Sequence, residues 1–274
     1  MKTLFIAPTG DIKSLSSISL ALVEALRAAG VKVGFVRPIG EDNNRSEVLY
    51  RELFNDETPS PILEADVNQA IRNNQYDELL EDIVGRVTEA SKGHDVVVVE
   101  GLTYQSDRPY THDLNADIAR TLCAGVVFAG NSLANTPEEV AAHFDLNAYI
   151  YSEAHIWLAG YIINHVKDPK AIAKTVNYCQ TDFCKSLDVL GAIPENDTIT
   201  DDLSAINFIA ENLEVTQLVA QLKLPSQNRM PPSAFRYKLI QSAQIADRRV
   251  VLPEGDEPRT LRAASICAER GIAR

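Results

Sequence analysis

Four valines in a row, Val96 to Val99, constrain this chain more than any other stretch. Neighbouring residues of a strand point to opposite faces, so an unbroken apolar run needs cover on both sides. A parallel sheet between two layers of helices supplies that cover. Runs of the same kind recur at Leu4–Ala7, Val31–Val36, Val126–Ala129, Leu158–Ile163 and Val189–Ile193. Helical patterns separate them: Leu15, Ile18, Leu22 and Leu26; then Leu79, Leu80, Ile83, Val84 and Val87; then Leu114, Ile118 and Leu122. Strands alternating with helices predict an α/β fold, a mostly parallel sheet with helices on both faces.

Between the first strand and the first helix lies Pro8-Thr9-Gly10-Asp11-Ile12-Lys13-Ser14. A loop in this place can wrap phosphates with backbone N–H groups at a helix N-terminus. The phosphate-binding pattern G-x-x-x-x-G-K-[ST] fits it badly. With Ser16 as the hydroxyl, Thr9 stands at the first glycine, Ser14 at the second and Leu15 at the lysine. Lys13 lies two places early. Two readings stay open: a turn kept for the fold alone, or a cradle that has lost the cation needed for a triphosphate. Thr9, Gly10, Ser14 and Ser16 are the cofactor-binding candidates, for a weakly held nucleotide or a smaller anion. On the second reading, Leu15→Lys is expected to strengthen nucleotide binding.

Ligands of parallel sheets bind beyond the carboxyl ends of the strands. Glu100 closes the valine strand, where P-loop proteins hold magnesium or its water. It is the metal candidate, against the alternative of a solvated strand end. Asn164 closes the fifth strand, as a ligand contact or a loop cap. Gly10, Glu100 and Asn164 are expected to share one crevice.

The chain carries a net charge of -12, which argues against nucleic acid and anionic membrane surfaces as partners. No apolar run approaches the ~20 residues of a membrane span. Met1-Lys2-Thr3 leads straight into a strand, without a signal peptide's layout. Four cysteines, Cys123, Cys179, Cys184 and Cys267, form no C-x-x-C pair. Thiols of a cytoplasmic protein are the expectation, with Cys179 and Cys184 as packing residues. The histidines form no ligand pattern; His112 and His155 read as surface or partly buried. No nucleophile elbow is present.

Toward the end, residues 201–222 read as one helix with Leu203, Ile206, Ile209, Leu213, Leu218 and Leu222 on its face. Residues 223–232 form the best linker, and Pro225, Pro231 and Pro232 break the pattern there. A helix opens after Ser233, a strand is expected at Arg249–Leu252, and a last helix covers Thr260–Arg270.

Pro8-Thr9-Gly10 with Leu15-Ser16-Ser17, and Val98-Val99-Glu100-Gly101-Leu102, resemble the amino-terminal domain of long bacterial phosphate acetyltransferases. That domain resembles dethiobiotin synthetase, a P-loop protein, with its loop degraded in this way. Ser233–Tyr237 and Val251–Arg259 resemble the opening of the acyltransferase domain. The resemblance implies a dethiobiotin synthetase-like domain at 1–222, a linker at 223–232 and the beginning of the catalytic domain at 233–274. Little or none of the family's middle regulatory domain has room here. It also implies a parent that moves acetyl between coenzyme A and phosphate, with coenzyme A and acetyl phosphate as partners, as a cytoplasmic homo-oligomer. The family's catalytic residues lie further on, so none is assigned, and the chain alone is expected to be inactive. The alternatives are a regulatory or assembly module that binds a nucleotide or metabolite without turnover, and an active ATP-dependent ligase. The missing lysine counts against the ligase.

Overall fold

The computed structural model describes residues 2–10, 12–104, 108–132, 136–153, 156–178, 188–224, 230–253 and 255–274. In chain order the first half runs β1 (Lys2–Pro8), α1 (Leu15–Ala28), β2 (Val33–Val36), β3 (Ile39–Gly40), α2 (Arg45–Phe54), β4 (Ile62–Leu63), α3 (Glu64–Arg72), α4 (Tyr76–Ala90) and β5 (Val96–Glu100). The second half runs α5 (Thr111–Thr121), β6 (Gly125–Asn131), α6 (Pro137–Glu153), β7 (Leu158–Val166), α7 (Pro169–Tyr178), β8 (Val189–Pro194), α8 (Asp202–Glu211), α9 (Thr216–Lys223), α10 (Pro232–Ala246) and α11 (Pro258–Glu269).

Six of the seven expected strands pair in one sheet, every pair parallel, in the order β2-β5-β1-β6-β7-β8. The fold is α/β and P-loop-like. The valine run is buried along its whole length, as two-sided cover requires. Its side chains divide by parity. Val97 and Val99 join Phe5, Phe128 and Tyr161 in one core, under α4, α5 and α6. Val96 and Val98 join Leu4, Ile6 and Ile162 in the other, under α1 and α8. The chain leaves β1 toward β2 and leaves β6 toward β7, so neighbouring strands send their connections opposite ways. A crevice opens at the carboxyl ends of such a pair.

Several expectations need correction. The single helix at 201–222 is two, α8 and α9, separated at Asn212–Val215. There Glu214 N donates to Leu190 O at 2.7 Å, pinning the break to β8. Leu203, placed on the apolar face, is exposed, as are Val48, Leu63 and Ile71. Arg249–Leu252 is not a strand: Val250 N donates to Arg274 O and Arg274 N to Arg248 O, and Val251 is 82% exposed. Among the described residues it pairs with no strand, only with the single residue Arg274. Three elements were not expected, the paired strands β3 and β4 and the helix α7. The capping pattern at Thr136 is present, with Thr136 N on Glu139 Oε2 and Glu139 N on Thr136 Oγ1. Cys179, Cys184, His155 and the centre of the 223–232 linker lie outside the described residues. No helix among the described residues is long and apolar enough to cross a membrane.

Helix α10 lies on α4, and Arg236 of α10 and Arg270 at the end of α11 tie both helices to it by charge. Glu81, buried on α4, receives Arg236 of α10 at 2.6 Å on Oε1 and Arg270 on Oε2. Helix α11 buries no residue and α10 buries only Ser233.

Candidate functional site

The first turn of α1 projects into the crevice beyond β1. The loop leading to it turns at Gly10, whose φ of +90° belongs to the left-handed region that side chains avoid. Ser14 stands at the N-cap with no hydrogen bond from its side chain to the helix amides. Its hydroxyl instead accepts from Asn164 Nδ2 at 3.0 Å. Asn164 is buried at the end of β7, and its own Oδ1 accepts from His165 N at 3.0 Å. Two residues on, Ser16 Oγ donates to Glu100 Oε1 at 3.0 Å. Two strands on either side of β1 thus hold the start of one helix, β5 through Glu100 and β7 through Asn164.

Glu100 is 1% exposed, so it is not a solvated strand end. Its Oε1 also accepts from Arg37 Nη1 at 3.1 Å, and its Oε2 is buried with no hydrogen-bond partner among the described residues. Burial pushes this carboxyl above its ordinary range, while Arg37, Ser16 and Ser46 pull it back down. Arg37 was not among the residues singled out from sequence. The signal available was a basic residue before a proline at a strand end. Proline holds its predecessor extended, which aims Arg37 out of β2 into the crevice.

Gly10, Ser14, Ser16, Glu100 and Asn164 gather around this turn, but Thr9 does not contribute donors to it. Its N–H and hydroxyl both go to Ala129 O, at 2.8 and 3.2 Å, fastening the loop to β6. Leu15, at the lysine position, is 3% exposed and packs in the core with Ile6, Ile12 and Ile18. The side chain of residue 15 faces the protein, not the crevice. A lysine there would have to leave the core to reach a nucleotide in the crevice. A cleft of about 370 Å³ opens beside the turn, lined by Gly10, Leu102, half-buried His112, His143 and Asn147 among others.

A divalent cation does not fit this arrangement. Both lone pairs of Oε1 are spent, on Ser16 and on Arg37. Oε2 is sealed from solvent, whereas magnesium keeps several waters when it binds through one carboxylate. No group of three or more acidic, histidine or cysteine side chains suited to a metal occurs among the described residues.

Residues 2–202 match the family described as an AAA domain. The whole chain aligns with phosphate acetyltransferase of Deinococcus radiodurans, 26% identical and covering 59% of that protein. It aligns equally fully with the enzyme of Nitrosomonas europaea, at 24% identity and 59%. The resemblance read from the sequence motifs is thereby borne out. The chain spans about 59% of the length of these curated relatives, and the alignments run over 416 and 412 positions against 274 residues here. The relatives therefore carry many residues without a counterpart in this chain. Among solved structures, MinD cell division protein of Aquifex aeolicus is similar at TM-score 0.46 and 13% identity, over 87% of this chain and 97% of that one.

Proposed function

The chain belongs to the AAA domain family, and on that premise we propose that it is an anion-sensing, non-hydrolysing domain of a phosphate acetyltransferase. Residues 1–222 form the sensing domain, 223–232 the linker, and 233–274 the beginning of the acyltransferase domain. The parent reaction is acetyl transfer between coenzyme A and phosphate, in a cytoplasmic homo-oligomer. This chain contributes no catalytic group to it.

One observation carries the reading. The first turn of α1 keeps its amides and serines, held by Glu100 and Asn164, while the lysine position is a buried leucine. Amides at a helix N-terminus attract an anion by ~1 kcal/mol per favourable charge contact. A few such contacts, with the two serines, would hold phosphate or a small phosphorylated metabolite weakly, and are too little for tight triphosphate binding. The adjoining cleft is of a size that suits a small metabolite.

Thermal unfolding with inorganic phosphate, acetyl phosphate, coenzyme A or Mg-ATP tests this. Phosphate and acetyl phosphate should raise the midpoint, and Ser14→Ala with Ser16→Ala should abolish the rise. Micromolar Mg-ATP binding by calorimetry would refute it. So would acetyl phosphate formation by the chain alone.

A further inference from the structure

We propose that Arg37 is a built-in counter-ion: its guanidinium stands where a divalent cation would have to stand, so the first turn of α1 takes up anions without metal. The anion part of this statement rests on the function proposed above; the counter-ion part does not.

Glu100 lies at the end of β5 and Ser16 in the first turn of α1, a carboxylate and a hydroxyl 3.0 Å apart. Two such oxygens can share a magnesium ion, each about 2.0–2.1 Å from it. Here the carboxylate oxygen nearer the serine is shared with Arg37 Nη1 instead. The guanidinium is not a passing neighbour. Arg37 Nε donates to Ile39 O at 3.2 Å, which fixes the plane of the group. Gly40 leaves it room, since a Cβ at that position would come within 3.0 Å of Arg37 Nε. A cation placed on the Glu100 side chain would meet this fixed positive charge at close range in a low-dielectric setting, where repulsion is strong.

The arrangement also leaves something for a ligand. Arg37 Nη2 makes no hydrogen bond among the described residues. Arg37 borders a small cavity of about 20 Å³, which has room for about one water molecule. Arginine stays charged at any physiological pH and offers planar donors that suit phosphate oxygens. A positive charge thus reaches the start of α1 from the end of β2, two strands from β1, through the Glu100 oxygen that Arg37 and Ser16 share.

Titration of the full chain with Mn²⁺, read by electron paramagnetic resonance of the free ion, tests the counter-ion. The wild type and Arg37→Lys should show no saturable binding through the millimolar range. Arg37→Met should bind at least about tenfold more tightly than the wild type, because one repelling charge has gone. Arg37→Met combined with Glu100→Gln should lose that binding. Arg37→Gln serves if the methionine variant does not fold by circular dichroism. Wild-type binding as tight as that of the variants would overturn the proposal. So would folded Arg37→Met and Arg37→Gln chains that bind no Mn²⁺. Calorimetry with inorganic phosphate then addresses metal dependence: the wild type should bind equally in EDTA and in magnesium. Phosphate binding that requires magnesium overturns the proposal. An absence of phosphate binding in both media overturns the anion reading alone, since the Mn²⁺ result stands without it.

Discussion

Asn164 donates to the hydroxyl of Ser14 at 3.0 Å across 150 residues of sequence. The bond ties β7, two strands away from β1, to the N-cap of the helix that β1 feeds. It uses the serine oxygen that would otherwise cap α1, and so leaves the first amides of the helix without a side-chain cap. The same interaction that fixes the turn in place keeps its amides open to a ligand.

Asn164→Ala should therefore cost about 1–2 kcal/mol in urea unfolding, the effect of deleting a buried hydrogen bond. Asn164→Asp should weaken phosphate binding far more than it alters stability. Its carboxylate can accept from Ser14 and interacts favourably with the helix N-terminus, but it repels an incoming anion. Calorimetry with phosphate separates the two effects. Undiminished phosphate binding by Asn164→Asp would place the anion elsewhere.

Glu100 makes stability depend on pH with a definite sign. Burial raises its folded pKa above the ordinary 4.5, so the folded chain holds this proton more tightly than the unfolded chain. The resulting stabilisation is complete below the unfolded value and fades as pH rises through the folded one. Glu100→Gln removes this dependence. Unfolding free energies of wild type and variant between pH 4 and pH 8, at about half-unit steps, should show the wild type losing stability relative to Glu100→Gln as pH increases. A difference that runs the other way would mean that Arg37 and the two serines outweigh burial.

Glu81, buried on α4, offers a third test. Its two oxygens receive Arg236 and Arg270, and little apolar surface supports the docking of α10 and α11. Glu81→Gln should speed hydrogen exchange across residues 232–274 and leave β1, β5 and β6 protected. In the wild type, too, protection after residue 232 should be weaker than in the valine strand. Equal protection in both segments would show that another surface covers the exposed Leu239, Ile245 and Leu261.

The sheet was legible because its signal is local and dense. A strand covered on both faces has no polar position to confuse the pattern, so Val96–Val99 and Leu4–Ala7 announce themselves. The break between α8 and α9 showed in the sequence only as the five-residue step from Leu213 to Leu218, since Ile209–Leu213 and Leu218–Leu222 each keep a four-residue spacing. What breaks the helix is a bond from Glu214 to β8, which lies far off in sequence. The reverse holds at Arg249–Leu252, whose composition suits a strand but which has no strand to pair with among the described residues. At the site, Glu100 and Asn164 were legible as polar residues ending apolar runs. Arg37 was not, because its role depends on β2 lying next to β5, and strand order is not written in any single run. Leu15 shows the same limit: spacing gave its place in a motif, and only packing gave its direction.

That direction decides the last prediction. Leu15→Lys places an ammonium where the side chain packs among Ile6, Ile12 and Ile18. An unpaired buried charge costs several kcal/mol unless it sheds its proton or finds water. The variant should lose about 3 kcal/mol or more of stability, in line with the largest effects of single substitutions. It should gain no affinity for Mg-ATP, because its ammonium points away from the turn that would hold the phosphates. Urea unfolding and calorimetry on the same preparation check both halves. A variant of unchanged stability that binds Mg-ATP in the micromolar range would mean that α1 can rotate to present residue 15 to the crevice, and the turn would then have to be regarded as a latent P-loop.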